Sequence, residues 1–98
     1  MGRLEEKVIA SINRVMREVF GNVVMSAIQD YLMDKGLNLT DPSLNVKKFH
    51  DSLKSLFGDG AEALENAIVD DLYRSLNMPK PEIIDLVDAV RRLKEEIQ

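Results

Sequence analysis

Apolar residues along this chain recur at spacings of three and four almost from end to end, and no stretch alternates in the two-residue rhythm of a strand. That periodicity predicts an all-α fold, a bundle of five helices at about 4–20, 22–35, 45–57, 60–76 and 81–97. In the first, Leu4, Val8, Ile9, Ile12, Val15, Met16 and Val19 share one broad face. Gly21 stops it, and Asn22 is placed to cap the second helix, which ends at Gly36 in the manner of a C′ glycine. Residues 37–44 form the one true loop, because Thr40-Asp41-Pro42-Ser43 are turn formers and Pro42 pushes Asp41 out of helical geometry. The third helix carries Val46, Phe49, Leu53, Leu56 and Phe57, and the fourth Ala61, Leu64, Ala67, Ile68, Leu72 and Leu76. The fifth follows Asn77-Met78-Pro79-Lys80-Pro81, with a proline in its first turn. Its stripe is Ile83, Leu86, Val90, Leu93 and Ile97, widened by Ile84 and Val87.

The densest punctuation is Phe57-Gly58-Asp59-Gly60-Ala61. Gly58 is expected as a left-handed C-cap, and Asp59 as the N-cap of the next helix with Glu62 as its capping-box partner. Gly60 is expected where a side chain would collide with the preceding helix. A fainter copy lies upstream: a shift of 37 residues maps Ile9, Ile12, Met16, Val19, Phe20 and Gly21 onto Val46, Phe49, Leu53, Leu56, Phe57 and Gly58. After each glycine comes a capping residue, Asn22 or Asp59, and then Ala-Ile-x-Asp-x-Leu at 27–32 and at 67–72. Helical amphipathicity alone produces part of such a match. The implied organisation is one domain, 1–98, of two helical hairpins plus a C-terminal amphipathic helix.

From Phe20 to Tyr73 the pattern resembles a small archaeal helical family, the Nitrosopumilus output domain family. The matching residues are Gly21, Phe49 and Leu53, the run Phe57-Gly58-Asp59-Gly60-Ala61, Glu65, and Ile68 with Leu72-Tyr73. Only the Phe-Gly-x-Gly-Ala element is specific. The resemblance implies a terminal module of signalling proteins with no catalytic residues to carry over. The Pro-led last helix falls outside its pattern.

Composition narrows the chemistry. Without cysteine there is neither a disulfide framework nor a thiolate zinc site. A net charge of −4 argues against generic nucleic-acid binding, which needs clustered Lys and Arg to displace counterions. Arg3, Glu5, Glu6 and Lys7 open the chain with no apolar run behind them, and no stretch approaches the roughly 18 apolar residues of a membrane span. The expected compartment is the cytoplasm, with no membrane contact.

Candidate reactive groups are few, and no catalytic, cofactor-binding or metal-ligating residue is assigned. His50 is the only histidine. His50-Asp51-Ser52-Leu53-Lys54 is similar to the His-x-Leu-Lys-Gly signature of histidine phosphotransfer bundles. Its Leu and Lys are displaced by one position, a turn of roughly 100° about the helix axis. A solvated helix histidine is the simpler expectation. Among the carboxylates Glu62, Glu65, Asp70 and Asp71, Glu62 suits a cap, and Glu65 suits bonds from the hinge backbone or a lysine. Gly58-Asp59-Gly60 has the ingredients of an anion nest but lacks the Lys-Ser/Thr of a phosphate loop, and Asp59 would repel phosphate.

Arg91, Arg92 and Lys94 would be the phosphate contacts of a helix-turn-helix regulator, opposed by Glu82 and Asp85 on the first turns of that helix. The aliphatic stripes have a different use. The unit from Phe20 to Leu76 has fewer than about 60 residues, a size at which a core is marginal. The outer helices therefore offer seams for another chain: Ile83, Ile84, Val87, Val90 and Ile97, with Leu4 and Val8. The sequence thus predicts a non-enzymatic protein-interaction or signalling-output module, homodimeric or bound to another protein. A DNA-contacting regulator and a His50 phosphotransfer protein are the alternatives.

Overall fold

Glycine 21 decides how many helices there are. The computed structural model describes residues 3–82 and 84–97. Among these it has four helices and no strand: α1 (Arg3–Asp34), α2 (Val46–Phe57), α3 (Gly60–Ser75) and α4 (Leu86–Ile97). The all-α class stands; the count of five does not. Gly21 has φ 77° and ψ 171°, a conformation essentially reserved for glycine, so the helix breaks in direction there. The break occupies one residue. Helix resumes at once with no turn or cap between the limbs, and the expected pair becomes one kinked helix. No atom lies within 4 Å of where a Gly21 side chain would begin, so the glycine serves its backbone angles and not a close approach.

The other ends obey ordinary capping rules. The second limb of α1 finishes in a Schellman motif: Leu37 N–H donates to Leu32 C=O and Gly36 N–H to Met33 C=O, both at 2.9 Å. Asn77, at φ 56°, closes α3 in the same way, with Met78 N–H on Tyr73 C=O and Asn77 N–H on Arg74 C=O. Asn45 caps α2 by accepting the Lys48 N–H at 3.0 Å.

The hinge differs from expectation in three respects. Asp59 is itself helical and its side chain makes no capping bond, so the Asp59–Glu62 capping box does not form. Gly58 has φ 57° but ψ −129°, which is not a left-handed helical cap. A side chain at Gly60 would meet Phe57 only at an ordinary contact distance of 3.8 Å. The last helix also starts later than predicted, at Leu86. Prolines 79 and 81 keep the preceding strap non-helical, and Asp85 caps the helix by accepting the Asp88 N–H at 2.8 Å.

α3 is the hub, packing against α1, α2 and α4. Its buried positions Ala61, Leu64, Glu65, Ile68, Val69, Leu72 and Tyr73 make a stripe wide enough for three neighbours. Around it, α1 contributes Leu4, Val8, Ile12 and Met16 from one limb and Met25, Ile28 and Leu32 from the other. α2 adds Phe49 and Leu53, and α4 adds Leu86, Ala89, Val90 and Leu93. The loop after α1 runs back along its first limb, where Asn13 Nδ2 donates to the Leu39 carbonyl at 2.8 Å. The radius of gyration is 12.6 Å, close to the ~13 Å of a domain this size, so α4 lies on its own chain and does not overhang.

The internal echo survives in three dimensions. Ile12 and Met16 are buried as are Phe49 and Leu53; Val19 and Leu56 are both exposed; Phe20 and Phe57 are both half-buried. Both glycines have positive φ. The two phenylalanines stack on each other, with centroids 5.3 Å apart and planes within 15°.

Candidate functional site

His50 follows the core residue Phe49 on α2, so the helix turns its imidazole to the edge of the core and not into solvent. Glu65 sits inside the apolar stripe of α3, between Leu64 and Ile68, and is 2% exposed. Across from both, the strap lays Ile84 and Asp85 against the start of α4. Together these elements border an open cleft of about 410 Å³.

Glu65 organises the cleft. Its Oε1 accepts the backbone N–H of Leu86 at 3.1 Å, and its Oε2 lies 2.6 Å from His50 Nδ1. Leu86 is the first residue of α4, so this N–H has no partner within the helix; a carboxylate at that end also complements the helix dipole. Against an ionised Glu65, which only accepts, Nδ1 is the donating nitrogen. One buried side chain therefore joins three helices: it belongs to α3, caps α4 and holds the histidine of α2. His50 Nε2 has no hydrogen-bond partner among the described residues, and His50 lines the cleft.

The rest of the lining is acidic. Asp59, Glu62, Asp85 and Asp88 join Glu65, while Lys54 is the one ammonium. Asp85 is committed to capping and Asp88 to Arg91 Nη2 at 2.9 Å. Asp59 and Glu62 are exposed, and neither is in an ion pair of the described residues. No group of three or more His, Asp or Glu is arranged to hold a metal ion among the described residues.

The remaining candidates fall elsewhere. Asp70 pairs with Lys80 at 2.9 Å. Asp71 accepts two 3.0 Å bonds from Arg14 Nε, which hold its carboxyl below the usual carboxylate range and raise the guanidinium in turn. Neither acid reaches the cleft. His50 is thus not a solvated residue, and Glu65 bonds neither the hinge backbone nor a lysine. Arg91 is engaged with Asp88, and Lys94 stands 3.9 Å from Glu5, which leaves Arg92 alone exposed and unpaired among the three proposed phosphate contacts.

The aliphatic candidates are largely consumed by the chain's own core. Leu4, Val8, Ile84 and Val90 are buried and Val87 is half-buried. Ile83 and the side chain of Ile97 lie outside the described residues. The exposed large apolar side chains lie instead near the α1 kink and the α2–α3 hinge, apart from Met33 near the end of α1. Val23 is 86% exposed, Val19 57%, Val24 49% and Leu56 37%; Val19 and Leu56 directly precede the half-buried Phe20 and Phe57, which stack on each other. Searched against known protein families, curated proteins and solved structures, the chain matches none.

Proposed function

We propose that this protein is a non-enzymatic interaction module that associates with a second copy of itself through the kinked end, not through α4. The observation that carries this reading is the exposure of Val19, Val23 and Val24 on either side of the Gly21 kink and of Leu56 at the end of α2, the two segments being joined by the Phe20–Phe57 stack. Single exposed aliphatics are ordinary, but a cluster at one end of a small domain is the usual mark of an interface. The patch draws on both copies of the internal echo, Val19 beside Phe20 and Leu56 beside Phe57. A two-fold partner places the same surface on both sides, so an apolar patch on one copy meets the same patch on the other. The resemblance to the Nitrosopumilus output domain family points the same way, and the hinge run that carries it borders this patch.

Sedimentation velocity over a concentration series tests the reading. Wild-type protein is expected as a dimer, and Val23→Asp as a monomer with unchanged helical circular dichroism, since Val23 has almost no contacts to lose. A wild-type monomer throughout the series overturns it.

One observation favours the histidine phosphotransfer alternative: His50 is oriented by a carboxylate through Nδ1 with Nε2 left free. The charge around it weighs against a phosphoryl group, because five carboxylates line the cleft against one lysine.

A further inference from the structure

We propose that two copies of this chain exchange the first limb of α1, residues 3–20: Gly21 straightens, and each limb docks on the body of the other copy in the place it fills on its own. This rests on the self-association proposed above and names its mechanism. The bend occupies one residue, helix continues on both sides of it, and no atom lies within 4 Å of where a Gly21 side chain would begin. Straightening therefore needs only that one glycine take helical angles, which glycine does without steric penalty. The closed contacts are then remade between chains. Arg14 bonds Asp71, Asn13 Nδ2 donates to the Leu39 carbonyl, and Phe20 stacks on Phe57; each joins a residue before Gly21 to one after it.

The register of α1 suits both forms. The buried positions of its first limb are Leu4, Val8, Ile12, Val15 and Met16, and those of its second are Met25, Ile28 and Leu32. At 100° per residue the two stripes point roughly 140° apart on a continuous helix. The kink turns both onto one core. A straight helix of 32 residues, about 48 Å long, presents them to two different bodies, as reciprocal exchange requires. The exposed valines fit the same picture. Ile12, Met16, Val19 and Val23 are spaced four, three and four, which makes one seam only if the helix runs straight through Gly21. In the kinked chain Val19 and Val23 stand on separate limbs, both exposed. In the exchanged dimer they lie where the two long helices pass the two-fold axis, and each copy covers the other's.

Charge reversal at the Arg14–Asp71 pair tests the exchange in the full chain. Arg14→Glu and Asp71→Arg each place like charges at that contact. The two variants are unfolded, mixed and refolded, and their dimers are counted by native mass spectrometry. If the limbs exchange, the mixed dimer alone brings opposite charges together at both contacts. Its ratio to the parental dimers is expected about tenfold above the statistical value, the factor two exposed ion pairs supply. A mixture of Arg91→Glu with Asp88→Arg is the control. It alters net charge identically, but that pair lies within α4 and stays in one chain, so a statistical ratio is expected. Gly21→Ala, which strains the kinked monomer and suits a straight helix, is expected to tighten the dimer about tenfold or more in sedimentation. A dimer of kinked subunits meeting face to face gains nothing from that change. A statistical Arg14–Asp71 mixture, an enrichment matched by the control, or a Gly21→Ala dimer no tighter than wild type overturns the exchange and leaves a face-to-face dimer standing. A wild-type monomer at every concentration overturns both.

Discussion

Removing Glu65 should damage this fold more than removing any exposed acid, and the size of the effect can be worked from its two bonds. A hydrogen bond to a charged group contributes about 1.5–3 kcal/mol, and Glu65 makes two, to Leu86 N–H and to His50. In Glu65→Ala the Leu86 amide is left buried without a partner, whereas His50, at 24% exposure, recovers part of its loss from water. Those opposing corrections give a destabilisation of about 3 kcal/mol, at the lower edge of the range for breaking a buried pair. With a urea m-value near 1.5 kcal/mol/M this moves the midpoint down by about 2 M. Glu62→Ala, on the exposed face of the same helix, should stay within about 0.5 kcal/mol of wild type.

Glu65→Gln separates the two roles. Its amide oxygen still accepts from Leu86, but its NH₂ now faces His50 Nδ1. The imidazole proton must therefore move to Nε2, at a cost of about 1 kcal/mol. Nitrogen shifts of the single imidazole read that tautomer directly. Two results would refute the reasoning: a Glu65→Ala midpoint no lower than that of Glu62→Ala, or a neutral wild-type imidazole protonated on Nε2.

Two further outcomes follow from the geometry. The Asp71 carboxyl, held below the usual range by Arg14, stabilises the fold fully above the ordinary Asp value and loses that contribution as pH falls through its folded value. Wild type should therefore lose more stability than Asp71→Asn between pH 6 and strongly acidic buffer, measured by urea unfolding; parallel losses would remove the Arg14–Asp71 pair from the account. Asp41, lowered by bonds from the Ser43 backbone and hydroxyl, acts in the same window but is present in both proteins and cancels. Gly21→Ala should cost about 1–3 kcal/mol from backbone strain alone, since nothing within 4 Å obstructs the new methyl. A gain of about 0.5–1 kcal/mol, as for Gly→Ala inside a straight helix, would mean that the kink is absent.

The helical class was legible because burial repeats every three to four residues in every helix, and the caps at Gly36 and Asn45 follow from local geometry alone. The signals that misled were equally local. Gly21 reads as a stop, yet a helix stop and a one-residue kink demand the same glycine, and Asn22 after it reads equally as a cap; only the lack of any further turn residue distinguishes them. Pro81 reads as a first-turn proline, but Asp85 offered a better cap four residues on, and Leu86 had a distant partner for its orphan amide. The site itself left a trace that could have been followed. Glu65 occupies an apolar position of its helix, four after Ala61 and three before Ile68, where a carboxylate survives only if something donates to it. Spacing within α3 could reveal that demand but not its answer, since the donors lie 15 residues before and 21 residues after it. Likewise the stripe on α4 told that a partner was needed, and the core of the same chain supplied it. What the stripe could not reveal is that Val19, Val23, Val24 and Leu56 would be left outside. Val19 and Leu56 precede Phe20 and Phe57, whose stack joins a kink and a hinge 37 residues apart, a contact no local pattern announces.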